Sequence, residues 1–253
     1  MKTHYGKFIL IEGTDGTGKS FQASLLKNNL CERGYGVQKK DLKNNQVSLL
    51  EDEFMQKGFK VETDDYPRYE SSEWGKLVGR MLTGEFGELM TISPYLAVLP
   101  YMIDQYWGSQ QIKKWLRSGR YVISNRYFTS NVHQVAKLEG ATRDEYRDWI
   151  WRMGWKEMKI LKPDLVIVLK VELEVCRQNV LKKTGRKYTG EEKMDQAEAD
   201  FDHQVKAAEE YQWMIDHNPG WWVGIECCEN GKMITPERIS DLVWQKIKDQ
   251  GLV

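Results

Sequence analysis

Little in the chain's composition suggests a nucleic-acid polymer, a membrane or a disulfide scaffold as its setting. Lysine plus arginine (37) equal aspartate plus glutamate (37) across 253 residues. The positive excess that a DNA- or RNA-binding surface usually carries is therefore missing, which leaves room only for a local basic cleft. No apolar run approaches the roughly 18 residues of a membrane span. The N-terminus also lacks the charged, apolar and small-residue order of a signal peptide, so a cytoplasmic protein is expected. Cys31, Cys176, Cys227 and Cys228 form no C-x-x-C pair and have no histidine at metal-ligand spacing, which argues against a disulfide framework or a zinc site. There is no internal repeat and no low-complexity linker, so residues 1–253 are expected to form a single domain with a sizeable core. Tryptophan runs the other way. Ten in this length is unusual, and the residues offer only packing or an oligomer interface as reasons.

The most informative stretch opens the chain. Phe8 to Ile11 is an apolar, strand-like run that leads into Gly13-Thr14-Asp15-Gly16-Thr17-Gly18-Lys19-Ser20, which fits G-x-x-x-x-G-K-[ST]. Glycines let successive backbone N–H groups turn inward on phosphate oxygens. Lys19 brings a mobile cation to the β- and γ-phosphates, and Ser20 brings a hydroxyl for Mg²⁺. From Phe21 to Leu30 apolar residues recur at helical spacing, so a helix N-terminus points at the anion. A chance glycine-rich turn would account for the glycines but not for Lys19-Ser20 at the required offset. Gly13 through Ser20 are thus the expected ATP-binding residues.

Strand and helix signals alternate beyond the loop. Gly34 to Gln38 reads as a turn into a strand, the polar segment from Lys39 to Lys60 as an insertion or surface loop, and Gly58 to Thr63 as another strand candidate. Helices are expected over Ser71–Leu82, from Ser93-Pro94 to about Trp107, over Ser109–Arg117 and over Arg143–Leu161. Gly119 to Tyr127 and Leu165 to Leu169 read as buried strands, the second of them continuous and apolar as in a central parallel strand. Helical patterns follow over Glu172–Lys183 and over most of Glu191–Asp216, then a strand at Trp221–Glu226 and a helix at Pro236–Lys248. This order predicts an α/β, three-layer P-loop fold, a central parallel sheet with helices on both faces. Such sheets carry their chemistry at the strand C-termini, where Asn125-Arg126-Tyr127 falls.

Four ordered motifs together resemble the thymidylate kinase family: the Glu12–Ser20 loop, Tyr66-Pro67-Arg68-Tyr69, Asn125-Arg126-Tyr127 with Ser130 and Gln134 beyond it, and Pro163-Asp164-Leu165 before a buried strand. The likeness runs over most of the chain. It implies phosphoryl transfer from ATP to dTMP with Mg²⁺, in a homodimer packed through helices to which the Trp-rich stretch near residues 149 to 155 is a candidate contributor. Such transfer needs dense positive charge and in-line positioning more than a covalent nucleophile.

The resemblance implies that Arg68 clamps the acceptor phosphate, a task that suits a guanidinium. It puts Tyr101 where thymine stacks, Arg126 against the acceptor, and Tyr127, Ser130 and Gln134 around the nucleoside. Asp15 matches a position that faces the deoxyribose 3'-hydroxyl. The residues alone equally allow a loop aspartate making its own turn hydrogen bonds, and they allow Arg80 to be either an acceptor ligand or part of a solvated helix face. A lid is expected at about 182–195. Because Gly16 stands where some members carry a catalytic arginine, the lid must supply it. Arg186 is the choice, with Lys182, Lys183 and Lys187 as rivals.

Two positions depart from the family pattern. Asn125 replaces a strand-end aspartate, and Gln105, after Asp104, replaces an arginine but can still hydrogen-bond a pyrimidine edge. Glu12 or Asp104 is a candidate for the missing carboxylate. These departures keep two alternatives open: a kinase for another deoxynucleoside or its monophosphate, and a non-catalytic nucleotide-binding protein.

Overall fold

The computed structural model describes residues 6–33, 35, 61–182 and 194–253. Strand β1 (Phe8–Glu12) is buried along its whole length and leads through the glycine-rich loop into helix α1 (Lys19–Glu32). Next come β2 (Val61–Asp65), α2 (Glu73–Leu82), a short α3 (Pro94–Ala97), α4 (Leu99–Arg117) and β3 (Tyr121–Asn125). A 3-10 helix (Phe128–Lys137), α5 (Ala141–Trp151), a π-helical turn (Arg152–Glu157), β4 (Leu165–Lys170) and α6 (Leu173–Leu181) follow. The chain closes with α7 (Gln196–Ala199), α8 (Phe201–His217), β5 (Trp222–Glu226), a two-stranded hairpin of β6 (Cys228–Glu229) and β7 (Lys232–Met233), and α9 (Pro236–Asp249). The main sheet has the order β2-β3-β1-β4-β5, and every pairing in it is parallel.

Side chains alternate across such strands, and the two cores divide accordingly. Phe8, Leu10, Val122, Val166 and Val168 face a core shared with Phe128, Tyr146 and Trp222. Ile9, Ile11, Ile123, Ile167 and Val61 face the other, filled by Leu26 and Leu30 of α1 and by Ile239, Val243 and Ile247 of α9. Both sheet faces are covered, so the three-layer α/β arrangement expected from the pattern is the one that forms. Among the described residues no helix is long and apolar enough to cross a membrane.

Some boundaries move. Gly108 does not end a helix, and α4 runs through it from Leu99 to Arg117. A Cβ at that position would lie 1.7 Å from the Tyr66 hydroxyl, so the glycine serves close packing against Tyr66. The helix expected to reach Leu161 changes to a π turn after Trp151. There Gly154 abuts Phe128, and a Cβ on it would meet that ring at 1.9 Å. Trp155 stands edge-on to Phe128 at 4.4 Å and stacks on Trp151 at 5.7 Å. Trp115, Trp149, Trp151, Trp155, Trp213 and Trp221 pack against the same core and Trp222 lies within it, which accounts for seven of the ten tryptophans. The long helical pattern before His217 breaks at Asp200, whose side chain accepts from the His203 N–H and caps α8. The expected turn and strand at 34–38 (Tyr35 apart) and the insertion at 39–60 lie outside the described residues.

Candidate active site

The register of the sheet places the site. Ile11 of β1 pairs with Asn125 of β3, which in turn pairs with Asp65 of β2, so three strand ends open beside the glycine loop. Gly16 and Gly18 take φ values of 87° and 84°, conformations that disfavour any side chain with a Cβ. Gly16 also presses on α6, since a Cβ there would come within 2.2 Å of the Cys176 carbonyl oxygen, and Asn179 donates to the Gly16 carbonyl at 3.0 Å. Lys19 is buried and donates through Nζ to the Thr14 carbonyl at 2.6 Å; the Thr17 hydroxyl donates to the same oxygen at 3.1 Å. Ser20 Oγ accepts from Asn125 Nδ2 at 2.9 Å.

Asp15 does not close its own turn. It accepts from Arg126 at 2.6 Å, with Lys19 Nζ 3.9 Å away. Arg126 itself holds φ at 62°, which aims its side chain back across the loop. Burial opposes both charges, yet Arg126 and Lys19 keep the Asp15 carboxyl far below the usual carboxylate range, and Asp15 keeps Arg126 well above its ordinary value.

Behind the loop, Glu12 is fully buried, with its two oxygens accepting from Thr129 at 2.6 Å, from Ser130 at 2.7 and 2.9 Å and from Tyr211 at 2.7 Å. Glu12 is therefore a hub between loop, 3-10 helix and α8. Asp104 is equally committed: it accepts from the Arg68 backbone and Nε at 3.0 Å each, while its own carbonyl accepts from Arg68 Nη2 at 2.7 Å. Neither acid is free to replace the carboxylate lost at Asn125.

A cleft of about 1250 Å³ joins these groups. Single small-molecule sites run to roughly 300–1,000 Å³, so it is large enough for two ligands end to end. Lys19 and Ser20 line it from the loop, Arg126 and Asn125 from β3, Arg68 from the turn after β2, and Tyr101 and Gln105 from α4. Gln134 and His133 line it from the 3-10 helix and His203 from α8. Gln105 and Asn131 exchange amide hydrogen bonds of 2.8 and 3.3 Å, and Gln105 also donates to the Tyr127 carbonyl at 3.2 Å.

Tyr127 meets the cleft only from the core, packed edge-on to Phe8 and Tyr66. Ser130 has its hydroxyl turned to Glu12. Arg80 sits at the exposed rim, ion-paired with Glu85. Arg186, Lys183 and Lys187 lie outside the described residues, and Lys182 is exposed at the end of α6.

Sequence reasoning missed two histidines. His133 and His203 have ring centroids 6.4 Å apart, and burial pushes His203 down to about 4 and His133 well below the usual histidine range. Burial disfavours the charged form of both rings. His133 Nε2, His203 Nδ1 and Gln134 Oε1 are buried without a hydrogen-bond partner, an arrangement that suits a polar, uncharged part of a ligand. His133 stands beside Gln134 in sequence and could have been found from that neighbour, whereas nothing local marked His203.

One glycine positions Arg68. A Cβ on Gly75 would lie 2.2 Å from the Arg68 carbonyl oxygen, so Gly75→Ala is expected to displace that backbone. On the acceptor-clamping role that the resemblance implies for Arg68, and given how steeply rates depend on ångström-scale placement, the KM for the acceptor should rise about tenfold or more with the KM for ATP unchanged. Steady-state kinetics in both substrates checks this, and an unaltered acceptor KM would refute it.

A parallel sheet of order 2-3-1-4-5 with a glycine loop after its central strand defines a P-loop nucleotide-binding protein of the three-layer α/β class. No protein-family model matches the chain. Thymidylate kinase of Mycobacterium tuberculosis is 27% identical over 169 residues, 66% of this chain and 67% of that one. Thymidylate kinase of Thermomicrobium roseum is 25% identical over 244 residues, 96% of this chain and 94% of that one. The solved thymidylate kinase of Candida albicans shares the fold, with a TM-score of 0.66 at 22% identity over 98% of this chain and 93% of that one. The chain is thus similar over most of its length to curated thymidylate kinases, the family that its four motifs resemble.

Proposed function

We propose that this protein transfers the γ-phosphoryl group of ATP to dTMP, giving ADP and dTDP. One observation carries the reading: Lys19, Arg126 and Arg68 come from three separate elements and line a single cleft. Phosphoryl transfer between two anions requires such convergence, and a neutral acceptor would leave Arg68 without a phosphate to bind. Lys19 and the loop N–H groups hold the donor. Arg68, rigid on Asp104, and Arg126, braced by Asp15, hold the acceptor phosphate. Tyr101 stacks on the base, with Gln105 and Asn131 at its edge. Gln134, His133 and His203 meet the uncharged part of the nucleoside, and Asp15 faces the sugar hydroxyl. Arg80 contributes at most at the rim. Arg186, from the lid, supplies the remaining cation and helps exclude water.

Mg²⁺ bound with ATP supplies charge neutralisation between the phosphates. The donor set fits a hard cation: Ser20 offers a hydroxyl, and Asn125 Oδ1 is buried without a partner while its Nδ2 engages Ser20. Among the described residues no three His, Cys, Asp or Glu side chains form a metal cluster. The protein acts in the cytoplasm as one domain in a homodimer, and Leu96, Leu99 and Trp107 leave exposed apolar surface on α3 and α4 for helix packing.

A coupled ADP-release assay across nucleoside monophosphates and thymidine tests the reading. The highest kcat/KM should be with dTMP. Turnover confined to purine acceptors would end the dTMP claim, preference for thymidine would favour a nucleoside kinase, and binding without turnover would favour a non-catalytic role.

A further inference from the structure

Asn125 stands at a strand end beside Ser20, but as an amide it adds no negative charge to hold a divalent cation. The acids of the loop, of the strand ends and of α4 can be assessed in turn. Glu12 is saturated by three hydroxyl-bearing side chains, Asp104 is spent on Arg68, and Asp15 is ion-paired through Oδ1 with Arg126. Asp64 accepts from the Tyr66 hydroxyl at 2.8 Å. Asp65 is left.

Asp65 is directly opposite Asn125 in the parallel register of β2 and β3. Side chains of in-register parallel neighbours emerge on the same face, and faces alternate with period two. Val61, four residues before Asp65, packs with Ile123, Leu26 and Leu30 in the core beneath α1. Asp65 therefore shares the α1 face with Asn125, and that is the face on which Asn125 reaches Ser20 at 2.9 Å. Asp64 and Ser124 fall on the opposite face, where the Ser124 hydroxyl donates to the Asp64 carbonyl at 3.1 Å. Asp65 is exposed and lines the same cleft as Lys19, Ser20 and Asn125, and among the described residues its carboxylate has no hydrogen-bond or ion-pair partner. An unpaired carboxylate at a strand end, next to an amide with an orphaned oxygen and a loop serine, is a donor set for a hard cation that retains several waters.

We propose that Asp65, on β2, supplies the negative charge that holds the nucleotide's divalent cation, together with Ser20 and Asn125. The inference rests on the reading of this cleft as a metal-nucleotide site.

Calorimetric titration of ADP into the full chain, in EDTA and again with Mn²⁺, tests it without any turnover. Wild-type protein should bind ADP more tightly with Mn²⁺. Asp65→Asn should lose roughly 10- to 100-fold of that gain, the range typical for groups that orient metal ligands, while the affinity in EDTA is kept. Placing the charge on β3 instead, with Asn125→Asp in the Asp65→Asn background, should restore the gain. Full retention of the Mn²⁺ effect by Asp65→Asn, or no restoration by the second substitution, would overturn the assignment. Failure of wild-type protein to bind ADP even in EDTA would instead overturn the nucleotide-site reading beneath it. Asp65 is exposed, so an unchanged melting temperature should accompany each variant.

Discussion

Lys19→Ala is expected to lower kcat by about 10²- to 10³-fold, the cost of removing one preorganised donor from developing phosphoryl charge, with a melting temperature close to that of the parent. Lys19 Nζ is held at 2.6 Å by the Thr14 carbonyl and lies 3.9 Å from Asp15. The ammonium is thus fixed inside the loop before any triphosphate arrives, and its stabilisation of the migrating phosphoryl requires little reorganisation. Truncation leaves Asp15 its closer partner, Arg126 at 2.6 Å, so no buried carboxylate is stranded. Rapid-quench measurement of a single turnover, alongside ADP binding, separates the two effects. A variant that binds ADP weakly but transfers at the parental rate would remove Lys19 from the chemistry.

The largest loss of stability is expected from Arg147→Ala. Arg147 of α5 donates through Nε and Nη2 to both oxygens of Glu210 on α8, at 2.6 and 2.5 Å, and its guanidinium lies 4.1 Å from the centre of the Trp213 ring. Glu210 is 0% exposed and Arg147 7%. Breaking a buried pair from one side leaves the other charge uncompensated, which costs about 3–5 kcal/mol. Arg143 approaches Glu210 at only 3.4 Å, which argues for the lower end. For a chain of this size about 3 kcal/mol corresponds to a fall of roughly 6–12 °C in Tm. The double variant Arg147→Met with Glu210→Leu should recover most of that, since no charge remains buried. Thermal unfolding followed by circular dichroism decides, and a fall below about 2 °C for Arg147→Ala would contradict the account.

What the sequence reveals of this molecule follows the range of the forces involved. The loop from Gly13 to Ser20 is legible because its glycines, lysine and serine act on the backbone that carries them. The strands at Phe8 and Leu165 are legible because burial on both faces leaves a continuous apolar run. Gly108 misleads, since the reason for it is Tyr66, far upstream and on another element. Local pattern cannot reveal that Asp15 is tied to Arg126, that Asp104 is spent on Arg68, or that Asp65 stands opposite Asn125, because each pairing is made by sheet register or by helix packing. Most of the motif residues do reach one cleft, Tyr127 and Ser130 among them, although the Tyr127 ring packs into the core and the Ser130 hydroxyl is engaged by Glu12.

The saturation of Glu12 bears on how such a protein can change. The acid that ties the loop to the acceptor wall is satisfied by Thr129, Ser130 and Tyr211, none of which depends on a ligand. Tyr101, Gln134 and His203 line the cleft without belonging to that knot. Substitutions among them can alter which molecule is accepted while the scaffold keeps its strength, so substrate choice and robustness are inherited on separate sets of residues.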